Sequence, residues 1–238
     1  MRLFLLGNSL IRQNGKVYLC KQLMDVRQQI RNAAPILVMA YSLTTAILSV
    51  VIFMGMEHNI ELDHFTQDPA SIMNTPFYLG FFSYIGILFW CAAATLCFFT
   101  RLLLHENDPA QKRKRQFLLY SGLVSALLMF DDLFLMHEVV FPQYFMIPKN
   151  VVYLIYINIL VIYVFAFRAE LFDSEYLVLM VAAGLLGISQ FVDSLPMPIP
   201  EDSFLEDAVK LFAIVTWFTY YMRYCVLMVK LQEQGKEE

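Results

Sequence analysis

The sequence predicts an all-α polytopic membrane protein, a bundle of six transmembrane helices with both termini on the cytoplasmic side. Its composition is 59% hydrophobic and only 16% charged over 238 residues, which is the balance of a membrane chain. Six apolar runs, at 34–56, 77–99, 117–137, 150–168, 176–193 and 204–229, each approach the roughly 20 residues needed to cross a hydrocarbon core of about 30 Å. The segments between them alternate in charge, which fixes the expected orientation.

Residues 1–33 read as a cytoplasmic amphipathic segment. Asn14-Gly15 suits the positive φ values of a two-residue hairpin turn. Leu19, Leu23, Val26 and Ile30 recur at helical spacing with Lys21, Arg27 and Arg31 around them, the pattern of a helix lying on a membrane surface or packed on the ends of the spans. The apolar core of the first residues is too short for a signal peptide, so the N-terminus is expected to be retained. The transmembrane domain then covers 34–230, and 231–238 form a polar tail. Cys20, Cys91, Cys97 and Cys225 do not flank an exterior loop, and no structural disulfide is expected.

The loops supply the topology. Loop 57–76 is acidic, loop 100–116 carries Arg101 and the run Lys112-Arg113-Lys114-Arg115, and loop 194–203 is rich in proline and acid. With the N-terminus inside, 15 of the 17 Lys and Arg residues lie on the cytoplasmic side, leaving Lys149 and Lys210 outside. Of the 21 acids, 12 lie on the outer side, for a formal charge of −10 there and +6 within. This is the distribution of a bacterial inner-membrane or plasma-membrane protein with N-in, C-in topology.

Within that frame the run Ser121–Glu138 is exceptional, because Asp131 and Asp132 fall near the end of a span. An ionised carboxylate at membrane depth costs roughly 2.5–3.5 kcal/mol by insertion scales and needs a partner. Four helix ends bring polar residues to the same outer level: Glu57, His58, Glu61 and His64 after the first span, Asp131, Asp132, His137 and Glu138 on the third, Gln190 and Asp193 on the fifth, and Glu206, Asp207 and Lys210 on the sixth. A regular helix puts Asp131 and Glu138 on one face, with Ser121, Ser125 and Asp132 on a neighbouring stripe.

Each group also has a plainer reading. His58 and His64 fit solvent or headgroup level. Lys210 follows Glu206 by four residues and Asp207 by three, so local neutralisation of a buried charge explains it. Trp217, Tyr220 and Tyr221 read as packing or a cytoplasmic-side aromatic belt. Ala183-x-x-x-Gly187 reads as a small-residue contact between helices. Only Ser121, Ser125, Asn158 and Thr216 offer a polar route deeper into the bundle.

Three functions follow. A surplus of carboxylates over internal cations suggests a divalent metal such as zinc, held by Asp131, Asp132 and His137 with His58 or His64; Glu138 or Glu206 is then the base and Lys210 the electrophile of a hydrolase acting on a lipid or lipid-linked substrate. In that reading Glu57, Glu61, Ser125, Gln190, Asp193 and Asp207 form the surrounding network. The alternatives are a non-enzymatic assembly or binding subunit with a structural charge network and no cofactor, and an ion- or proton-coupled carrier. Membrane lipids are the expected partners, nothing points to nucleic acid, and the oligomeric state is open.

Overall fold

A computed structural model describes residues 8–13, 16–21, 26–58, 65, 72–76, 78–105, 109–193 and 202–234. The chain divides into two units, Met1–Phe77 and Tyr78–Glu238. The first apolar helix lies in the first of these units and the five later runs in the second.

In the first unit, strands β1 (Asn8–Gln13) and β2 (Lys16–Lys21) pair antiparallel, with Gln13 opposite Lys16. That register leaves two residues between the strands, as an Asn-Gly turn requires. It also corrects the amphipathic-helix expectation: Leu19 lies in β2, Leu23 lies outside the described residues, and the helix starts only at Val26. The β-favouring Val17-Tyr18 pair beside the turn outweighs a helical spacing built on four residues. Helix α1 (Val26–His58) then continues unbroken through the first apolar run.

The second unit contains α2 (Phe81–Leu103), α3 (Pro109–Phe134), a π-helix (Met136–Tyr144), α4 (Lys149–Ala166), the short α5 (Arg168–Phe172), α6 (Tyr176–Asp193) and α7 (Asp202–Gln234). Pro109 opens α3, where its missing N–H costs nothing. Among the described residues five helices, α1, α2, α3, α4 and α7, are long and apolar enough to cross a membrane; α6 is apolar but shorter. Their outer faces carry large apolar side chains such as Leu102, Ile162, Phe165 and Phe212, each at least two-thirds exposed, as lipid-facing surfaces do.

The core lies between α2, α3, α6 and α7, with Tyr163 of α4 and Leu171 of α5 packed into it, and is strongly aromatic. Trp90 meets Trp217 edge-on at 5.4 Å, and Phe117 stacks on Tyr163 while meeting Tyr224 edge-on. Trp217, Tyr220 and Tyr221 are all buried, so of their two expected roles packing is the one they fill. Gly122 permits the approach of α3 to α2: a Cβ there would lie 2.6 Å from the ring of Phe98. The small-residue pattern on α6 behaves otherwise. Ala183 is exposed and a Cβ on Gly187 would meet nothing within 4 Å; the buried face of that helix is the one bearing Ala182 and Ser189.

Candidate functional site: a divided carboxylate pair

Asp131 and Asp132 are consecutive on α3, so their side chains diverge by about 100°. Each enters a different environment. Asp131 is buried and receives three donors: Tyr156 Oη–H from α4 at 2.8 Å, the backbone N–H of His137 at 3.1 Å, and the His137 ring through Nδ1 at 2.6 Å. Asp132 turns the other way, where Lys210 Nζ donates to Oδ1 at 2.7 Å and Trp90 Nε1–H donates to Oδ2 at 2.9 Å. The two carboxylates thus join α3 to four other elements.

His137 reaches Asp131 because α3 stops one turn short of the expected span end. Leu135 adopts the left-handed conformation, φ 50°, and the π-helix starts just after it. A non-glycine residue there is unusual; the double hydrogen bond from His137 to Asp131 holds the reversal in place. The expectation that Asp131 and Glu138 share one face of a continuous helix is therefore replaced by a break at Leu135 that puts Glu138 in the π-helix. In it the His137 Nε2 lies 3.6 Å from Glu138 Oε1, and Lys149 Nζ lies 3.7 Å from the same oxygen while sitting 5.6 Å from the centre of the Tyr153 ring. His137 and Tyr153 are themselves in ring contact at 5.0 Å.

The electrostatics of this outer segment follow from the contacts. Burial disfavours the imidazolium of His137, yet the carboxylates of Asp131 and Glu138 at its two nitrogens outweigh that cost and raise its pKa to about 9. Glu138 is lowered to about 2, mainly by its bond to His137, against a partial burial that opposes it and with help from Lys149 and Lys210. The ion pairs among these groups set Asp131, Asp132 and Glu138 against His137, Lys149 and Lys210: three acids and three cations.

A narrow cleft opens onto the Asp132–Lys210 pair, bounded by Phe82, Ser83 and Gly86 of α2 and by Asp207, Leu211 and Ile214 of α7. Asp207 is exposed at its rim. The hydrogen bond of Lys210 crosses to Asp132 on α3. Glu206 is half-buried, and its backbone carbonyl accepts a hydrogen bond from Ser189 Oγ at 3.4 Å, which ties α6 to α7. Gln190 is half-buried on α6; the side chain of Asp193 lies outside the described residues.

The other expected members fall elsewhere. Glu57 and His58 are exposed at the end of α1 in the first unit, and Glu61 and His64 lie outside the described residues. Among the described residues no group of three or more His, Cys, Asp or Glu side chains is arranged to hold a metal ion. Ser125 belongs to the layer beneath, accepting from Trp217 Nε1–H at 3.0 Å.

Below that layer runs a string of hydroxyls. Ser121 Oγ donates to the carbonyl of Phe117, one turn back, and so accepts from Tyr163, which in turn accepts from Tyr221. Each hydroxyl has one proton to give, so the direction is fixed. The string ends on a backbone carbonyl.

Trp90, Tyr156, Lys149 and Tyr153 are site residues that the sequence reading passed over. For Trp90 a signal exists: a tryptophan deep in a span carries an N–H that needs an acceptor.

These features define a class, a membrane-type helical protein with a partly buried network of ion pairs at one end of its bundle. The chain belongs to the family described as a domain of unknown function (DUF8692), which it matches over residues 37–224 and therefore across the whole network. It matches no curated protein and no solved structure.

Proposed function

We propose that the protein is a non-enzymatic assembly or binding subunit of a bacterial inner or plasma membrane, with six spans and both termini cytoplasmic. The charge network closes the extracytoplasmic end of the bundle. The observation that carries this reading is the pairing itself: three acids face three cations, and each carboxylate of the Asp131-Asp132 pair has its own donors on separate elements. Counting His137 and Lys149 beside Lys210 narrows the charge surplus that called for a metal, because Asp131, Asp132 and Glu138 each face one of them. The hydroxyl string favours this reading over a proton carrier, since a string ending on the Phe117 carbonyl has no onward group to take the proton.

A second reading, the metal-dependent hydrolase of a lipid or lipid-linked substrate, has one observation in its favour. His137 is held through Nδ1 by a carboxylate, the arrangement that orients a metal-binding or general-base histidine and leaves Nε2 for chemistry. Asp131 is then an orienting group, and Nε2 with Glu138 supplies two ligands.

Metal content separates the two. Purified wild type, Asp131→Asn, Asp132→Asn and His137→Ala are expected to contain equally negligible divalent metal. A stoichiometric transition metal in the wild type that His137→Ala loses would overturn the structural reading in favour of the hydrolase.

A further inference from the structure

About 20 Å along α7 from Lys210, by helical rise, a second and larger concavity of about 350 Å³ opens between α7 and the Ser174-Glu175 junction that precedes α6. It shares no residue with the charge network. On α7 its wall is built from Arg223, Val226, Leu227 and Lys230, which at spacings of three, four and seven occupy one helical face. A cation therefore stands at each end of an apolar pair. Val226 and Leu227 are each nearly half exposed, and Met222 continues the apolar surface beyond Arg223.

The polar end is pre-arranged. Glu175 grips Arg223 through both carboxylate oxygens, taking Nε–H and one Nη–H, and this fixes the plane of a guanidinium that is still 57% exposed. Ser174 Oγ donates to the carbonyl of Leu171, so the Tyr220 hydroxyl donates to Ser174 and ties the junction to α7. With Arg223 and Lys230 against Glu175, the formal charge of the groove is +1.

We propose that this groove binds one anionic phospholipid, its phosphate between Lys230 and Arg223 and the start of an acyl chain over Val226, Leu227 and Met222. The match is one of charge and of surface. A headgroup with a single net negative charge neutralises the groove, and the apolar strip between the cations is wetted by a chain where an inorganic anion would leave it bare. The basic loop 100–116 and this groove lie on the side that positive-inside counting assigns to the cytoplasm, where membranes carry their anionic lipid.

The test uses the delipidated full chain, titrated with phosphatidylglycerol and with phosphatidylcholine of the same chain length and read by native mass spectrometry. Phosphatidylglycerol is expected to bind at least fivefold tighter. Lys230→Gln, a surface change that leaves the Arg223–Glu175 pair intact, is expected to weaken phosphatidylglycerol by about fivefold, the effect of one cation near a membrane surface, and to leave phosphatidylcholine unchanged. Equal binding of the two lipids, or no effect of Lys230→Gln, overturns the proposal. Displacement of the lipid by an equal concentration of inorganic phosphate also overturns it, because the groove then recognises phosphate alone.

Discussion

Lys210 Nζ lies 2.7 Å from Asp132 Oδ1 and so bonds α7 to α3 at the level where two carboxylates enter the bundle. Asp132 is the more deeply placed partner, with a side chain 10% exposed against 29% for Lys210. Removing the lysine alone strands the acid. Lys210→Met is expected to cost about 2–4 kcal/mol of stability, while Asp132→Asn with Lys210→Met costs less than the sum of the two single changes by about 1 kcal/mol or more. Unfolding in mixed detergent-lipid micelles measures both. Simple additivity would show that the two side chains do not act as a pair.

The His137 contacts predict a pH dependence. Its pKa is raised in the folded state to about 9, so its contribution is fully present below the unfolded value near 6.5 and is lost as pH rises through 9, on the order of 3 kcal/mol in total. Glu138, lowered to about 2, acts in the opposite sense: its contribution is present above about 4.5 and is lost as pH falls through 2. The thermal midpoint should therefore decline between pH 6.5 and 9. In His137→Gln that decline should vanish; if it persists unchanged, another group is responsible.

Gly122 and the α6 glycines offer a contrast in packing. Gly122→Ala forces α3 away from the Phe98 ring and is expected to destabilise by about 1–3 kcal/mol, with partial recovery when Phe98→Leu is added. Gly184→Ala places its methyl group in open space and should be neutral or stabilising by up to about 1 kcal/mol. Equal effects at the two sites would show that the close approach at Gly122 carries no energetic weight.

The proposed six-span topology predicts that cysteines placed in loop 100–116 react only with reagents that reach the cytoplasm, whereas those in 57–76, 138–149 and 194–203 react from outside. Labelling of loop 100–116 from outside would exclude it.

The apolar helices were legible because a membrane span is a one-dimensional property, a run length read directly from the residues. The depth of Asp131 and Asp132 was legible for the same reason. Their partners were not. Which way each carboxylate turns depends on the reversal at Leu135, and leucine carries no turn signature. Lys149 appeared only as a stray loop cation, and Tyr156 looked like any aromatic in an apolar run. His137 is expected as a metal ligand from its place beside Glu138, but the spacing does not show that carboxylates stand at both of its ring nitrogens. The α1 segment differed for a local reason, since a short strand-favouring stretch beside an Asn-Gly dipeptide took residues that a helical count had claimed.

The two carboxylates acquire their partners at different moments in the life of the chain. Asp131 is served from nearby, by His137 six residues on and Tyr156 twenty-five residues on, whereas Asp132 must wait for Lys210, seventy-eight residues later. During synthesis the first half of the site is complete when the fourth apolar run emerges, but the second stays open until the last helix has entered. A chain truncated before α7 thus leaves Asp132 with the Trp90 N–H alone, and its ammonium partner arrives only with the final helix.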